Sequence, residues 1–187
     1  CNRDVLLGTS HLFTRDVFCF WEDRGEVRMQ LKPHAPGIRK FSEQALTAKA
    51  RTIIKSMRAS KDSGKAVMFY SCIIGSIPGQ TATAIKVADT FVRSLRERLD
   101  QVFIINPAEY FEPGMDGDDL MFMWEQVQRS GLINIWRFQS MEDIEASFGL
   151  MGLKVPPVWS GKDATFSTGC TKEMRIALDM QRSHPEL

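Results

Sequence analysis

Near the C-terminal end, Ser167-Thr168-Gly169-Cys170-Thr171-Lys172-Glu173 joins a polar glycine turn to a carboxylate at the start of an apolar-periodic stretch. A turn of similar make-up, Ser71-Cys72-Ile73-Ile74-Gly75, follows the strongest strand signal in the chain. Glycine-containing loops ahead of a helix expose backbone N–H groups that suit a phosphate or another anion. If both turns meet at one edge of a parallel sheet, they form an anion-binding corner with Glu173 beside it. A poorly solvated carboxylate there can attack an electron-poor anomeric carbon or direct water at it, with a nucleobase as leaving group. The same residues also carry a plainer reading. Ser167, Thr168 or Thr171 caps a helix, Glu173 adds negative charge near its positive end, and the first loop only turns a corner.

Asn106 ends a second strand signal, where it bonds either a substrate hydroxyl or the backbone of a turn. Asp116, Asp118 and Asp119 form a glycine-flanked acidic cluster that reads as a solvated turn before it reads as a metal site. His11, His34 and His184 make no triad with a serine or cysteine. Tyr70, Trp124 and Trp159 are core residues by default and base-stacking residues otherwise. No Walker A loop is present, because Gly64-Lys65 precedes the strand instead of following it. A GxGxxG dinucleotide signature is also missing.

Periodicity sets out the elements that must position these groups. Residues 17–21 and 27–31 alternate as a hairpin, and 41–57 has helical spacing with Ser42 as its cap. Residues 60–65 read as a linker, which divides an N-terminal extension, 1–60, from a main domain, 61–187. Residues 66–71 form a buried strand and 102–105 a second one. Between them, 81–99 is an amphipathic helix with Ala84, Val87, Ala88, Phe91, Val92 and Leu95 on one face. Strand, loop, helix, strand is a βαβ unit and favours a parallel sheet covered on both faces. Helices follow at 120–127 and 141–150, with a strand at 132–138. Residues 155–159 are an edge strand or loop, and a closing helix over 172–180 has Met174, Ala177 and Leu178 inward. The expected fold is α/β, a doubly wound parallel sheet with helices on both faces, plus the hairpin-helix extension.

The 187 residues are 43% apolar and 25% charged, with a net charge of +1. That is enough for one good core with room for a small appendage. Near-neutral charge argues against a polymeric nucleic-acid partner, and no apolar run approaches the length of a membrane span. Cys1, Cys19, Cys72 and Cys170 are far apart, unlike zinc pairs, and read as free thiols of a cytoplasmic protein. Cys1 also leaves open a lipid-modified first residue.

The three motifs together resemble the nucleoside 2-deoxyribosyltransferase superfamily, with its nucleoside 5′-monophosphate N-glycosidase branch. Tyr70-Ser71-Cys72-Ile73-Ile74-Gly75 resembles that family's first loop, without the usual Gly-Pro. Ile105-Asn106-Pro107-Ala108 resembles its second element, and Ser167 to Glu173 fits its closing Ser-x-Gly-x-x-x-Glu. The similarity spans 66–182. It implies that Glu173 is the catalytic glutamate and that Ser167 and Gly169 hold the 5′ side. It also implies that Ser71 and Gly75 line the sugar and phosphate pocket, with Asn106 beside them. Asp119 or Asp143 would be the additional acid. The implied activity is hydrolysis of an N-glycosidic bond, or deoxyribosyl transfer, on a nucleoside or nucleotide. No metal or organic cofactor is implied, and a homo-oligomer is. The alternatives are a non-catalytic nucleotide-binding or protein-interaction module, and another α/β enzyme acting on a phosphorylated small molecule.

Overall fold

The computed structural model describes residues 41–184. The hairpin expected over 17–31, like His11, His34, Cys1 and Cys19, lies outside the described residues.

The segment Ala66–Ser71 (β1) is apolar up to its last residue, and every position from Val67 onward is buried. A strand that is buried on both faces belongs in the middle of a covered parallel sheet. β1 indeed lies between Val102–Ile105 (β2) and Ile135–Phe138 (β3), in the order β2-β1-β3. Both pairings are parallel, with Phe69 opposite Ile105 on one side and Trp136 on the other. The described residues thus form a mixed α/β unit. Its helices are Glu43–Asp62 (α1), Thr81–Arg98 (α2), Gly117–Gln128 (α3), Met141–Leu150 (α4) and Thr168–Ser183 (α5).

Alternation along β1 sorts the packing. Val67 and Phe69 join Leu46, Ile53 and Met57 of α1 and Met123, Trp124 and Val127 of α3 in one buried cluster. The Phe69 ring meets Trp124 edge-on at 5.4 Å. Tyr70 instead stacks on Phe91 of α2, also at 5.4 Å. Past the end of β1, Ile73 and Ile77 pack with Ala84 and Val87 of α2, Ile144 and Phe148 of α4, and Trp159. The chain leaves β1 through α2 to β2, then returns through α3 to the far side of β1. In open parallel sheets such a reversal leaves a crevice beyond the strands' carboxyl ends.

Local chemistry sets most element ends. Ser42 caps α1 by accepting from the Ala45 amide at 3.2 Å. α1 runs on to Asp62, past the start of the expected linker, and Gly64 at φ +84° completes the turn into β1. α3 starts three residues earlier than its apolar pattern suggests, because Asp116 and Asp119 form a reciprocal capping box. Residues 155–159 are loop and a short 3-10 turn, Pro157–Trp159. α5 begins at Thr168, four residues before the expected start, because Ser167 caps it. Its inward face also differs from expectation. Cys170, Thr171, Glu173, Ile176 and Met180 are buried, whereas Met174, Ala177 and Leu178 are half-buried. A pattern built on apolar residues alone misses a stripe that contains a carboxylate.

Among the described residues, no helix is long and apolar enough to cross a membrane.

α1 supplies Leu46, Ala50, Ile53 and Met57 to the same cluster as β1. Ile53→Ala should therefore cost about 2–5 kcal/mol of unfolding free energy, and Lys55→Ala less than about 0.5 kcal/mol. Urea unfolding of the full chain measures both. A loss under about 1 kcal/mol for Ile53→Ala would show that α1 is not integral to this core.

Candidate functional site

Ser71 is the last residue of β1, and the pleat turns its side chain to the face that also holds Phe69. There its hydroxyl donates to Glu173 Oε2 at 2.5 Å, across 102 residues of sequence. Ser71 is fully buried and Glu173 is 6% exposed. A second link joins the same two turns. The Ser76 hydroxyl, in the loop after β1, donates to Ser167 Oγ at 2.8 Å, and Ser167 Oγ accepts from the Cys170 amide at 3.3 Å. Loop and helix start thus meet beyond the carboxyl end of the central strand. Glu173 sits in the second turn of α5.

Gly75 and Gly169 lie at this junction, and the fold does not demand either for steric reasons. Neither has a positive φ. A Cβ on Gly75 would find open space, and one on Gly169 would make ordinary contacts with Ser167 Oγ at 3.6 Å and Met121 Sδ at 3.9 Å.

Burial dominates the electrostatics. It pushes the Glu173 carboxyl up from 4.5 to about 7, with the Ser71 hydroxyl and the Gln128 amide opposing it. The neighbouring thiols respond in the same direction. Burial and the charge of Glu173 raise Cys170 to about 12, and Cys72 is raised well above its usual value chiefly by burial. Both are free thiols and stay protonated at neutral pH.

The remaining expected site residues are placed elsewhere. Asn106 is fully buried at the end of β2, where its Oδ1 accepts from the Ala108 amide at 3.1 Å. Its Nδ2 donates to Asp89 at 2.6 Å, so the side chain caps a turn. Asp119 serves the α3 capping box through Oδ2, while its Oδ1 is buried without a partner. Asp143 lies with Tyr70, on the β1 residue that faces α2. It accepts from Arg137 Nη2 at 2.6 Å and from the Tyr70 hydroxyl at 3.3 Å. Burial raises its carboxyl, with the Arg137 guanidinium opposing. Neither aspartate shares a hydrogen bond with Ser71, Ser76, Ser167 or Glu173. Tyr70, Trp124 and Trp159 are all fully buried core residues. Among the described residues, no group of three or more His, Cys, Asp or Glu side chains is arranged to hold a metal.

Sequence reasoning passed over two neighbours of this site. Ser76 follows directly on the glycine of the first loop. Gln128 sits four residues beyond Trp124 and next to Val127, so it continues the inward stripe of α3.

Comparison of the chain with protein-family models, with curated proteins and with solved structures gives no match.

A buried acid with a raised pKa makes stability depend on pH. Between about 4.5 and about 7 the folded chain keeps a proton that the unfolded chain releases, so stability falls as pH rises through that window. Glu173→Gln keeps an acceptor for Ser71 and has nothing to ionise. It should match wild type near pH 4 and exceed it near pH 8 by on the order of 3 kcal/mol. Parallel urea melts at the two pH values measure the difference. Equal pH dependence in both proteins would mean that Glu173 is hydrated.

Proposed function

We propose that this chain cleaves or exchanges the N-glycosidic bond of a nucleoside or nucleoside 5′-monophosphate, with Glu173 as the reacting carboxylate. The observation that carries this reading is the buried hydrogen bond from Ser71 to Glu173 beside the capped start of α5. The arrangement gives an acid poised near neutrality, with a helix N-terminus and a glycine loop adjacent to it. The reversal of the chain at β1 is also what a doubly wound sheet requires, and such sheets bind ligands at that place.

In the proposed reaction, Ser71 fixes one oxygen of Glu173 and leaves the other for C1′. The N–H groups of the α5 start and of the 72–80 loop hold the phosphate or hydroxyl at the 5′ end, with Ser76 and Ser167 beside them. As the bond to the base breaks, C1′ gains positive character. An ionised Glu173 either bonds to it or takes a proton from the attacking water. The pair of electrons leaves with the base, which must be protonated. Among the described residues no second carboxylate is bonded into the site for that step, so the base takes its proton from solvent. Where Glu173 has bonded to C1′, water that loses a proton to solvent, or a second base, then displaces it and restores the free carboxylate.

The engagement of Asp119 and Asp143 elsewhere favours one other reading, a module that binds the nucleotide without cleaving it.

Incubation with a panel of nucleosides and monophosphates, with chromatography for free base, separates the two. Wild type should release base, and Glu173→Ala should lower the rate at least 100-fold. The rate should fall as pH drops below about 7, since protonation removes the nucleophile. Saturable nucleotide binding without release would favour the binding module, and undiminished release by Glu173→Ala would exclude Glu173 as the reacting group.

A further inference from the structure

We propose that Gln128 is the positioning residue of Glu173, its buried side-chain amide forming a second hold on the carboxyl group besides Ser71. Gln128 is the last residue of α3 and is fully buried. Neither its Nε2 nor its Oε1 has a well-formed hydrogen bond. An amide left unpaired in a core is unfavourable, and Gln128 occupies the same inward stripe as Met123, Trp124 and Val127. A leucine or methionine would fill that place without the penalty. A buried amide retained there implies a polar neighbour.

That neighbour is Glu173. α3 and α5 pack side by side and run in the same direction. Met121 lies beside Gly169 near their starts, and Arg129 reaches Asp179 at 3.8 Å further along. Gln128 lies between Met121 and Arg129 on α3, as Glu173 lies between Gly169 and Asp179 on α5, and the Gln128 amide closes no hydrogen bond with any described residue.

The other groups around the carboxyl define what this amide does. Ser71 comes from β1, Cys170 from α5 itself and Cys72 from the following loop, and both thiols are neutral at pH 7. On the packed elements, Arg129 is paired with Glu125 on the α3 side, and Arg137 of β3 is paired with Asp143. Among the described residues no cation favours the ionised carboxylate, and the groups that do are the neutral Ser71 and Gln128 side chains. An amide also suits both states of an acid. Its N–H donates to the carboxylate, and its carbonyl accepts from the protonated carboxyl. Gln128 can therefore keep Glu173 oriented while Glu173 gains and loses its proton. The functional consequence rests on Glu173 being the reacting acid, but the hold itself is measurable without turnover.

The test is a carbon-13 NMR titration of the Glu173 side-chain carboxyl in the full chain. Wild type is compared with Gln128→Met, which keeps length and removes both polar atoms. Gln128→Met should fold with undiminished stability and raise the Glu173 midpoint by about one pH unit. Gln128→Asn, with its amide withdrawn by one methylene, should fall between the two. If Gln128→Met fails to fold, a raised midpoint in Gln128→Asn supports the proposal and an unchanged one overturns it. An unchanged midpoint in folded Gln128→Met overturns it directly. If wild type releases base, the acid limb of its pH profile should move by the same amount in Gln128→Met. A shifted midpoint without base release by wild type would keep the hold and remove the catalytic reading.

Discussion

A carboxyl group taken out of water holds its proton unless hydrogen bonds or a nearby cation replace the lost hydration. Among the described residues no cation does so at Glu173; the Ser71 hydroxyl donates to it, and the proposed second hold is the Gln128 amide. The outcome is an acid that neither stays charged as a surface glutamate does nor stays neutral across the physiological range. The proposed chemistry depends on that balance. With a paired lysine or arginine in place of Gln128, Glu173 would be held ionised and less reactive. With no polar neighbours it would stay protonated and unable to attack.

The fold supplies this balance through its topology. β1 is the central strand, so its last residue emerges where α2 and α3 lead the chain to opposite sides of the sheet. Because side chains alternate, Ser71 and Tyr70 head two separate buried polar clusters. Ser71 meets Glu173 on one face, and Tyr70 meets Asp143 and Arg137 on the other. The second cluster contains a full ion pair and needs no further partner. Among the described residues the first contains one acid and no cation. That contrast between two carboxylates near one strand end is why the proposed chemistry rests on Glu173 and not on Asp143.

Much of this was legible in the sequence because local signals agreed with the fold. The run 66–71, the six inward residues of α2 and the run 102–105 sit where their periodicity places them. Two turns of similar make-up predict the convergence of Ser71 and Glu173, and the fold brings those turns together. The inward face of α5 was misjudged because Glu173 interrupts an otherwise apolar stripe, and a charge in such a place reads as solvent-facing. The same bias hid Gln128. Asn106, Asp119 and Asp143 illustrate the converse: polar residues at element ends drew attention as ligand groups, while their hydrogen bonds go to caps and an ion pair. Whether a polar residue caps a turn or faces a ligand depends on tertiary neighbours that no local pattern records.

Infrared difference spectroscopy reads whether Glu173 is a dehydrated acid that changes charge near neutrality. Spectra of glutamate-labelled protein between about pH 5 and about pH 9 would isolate the protonated carboxyl stretch, with Glu173→Gln as the blank. A dehydrated Glu173 should give a wild-type band, absent from Glu173→Gln, that disappears with a midpoint at about 7. Loss of that band with the ordinary glutamates, near 4.5, would contradict it.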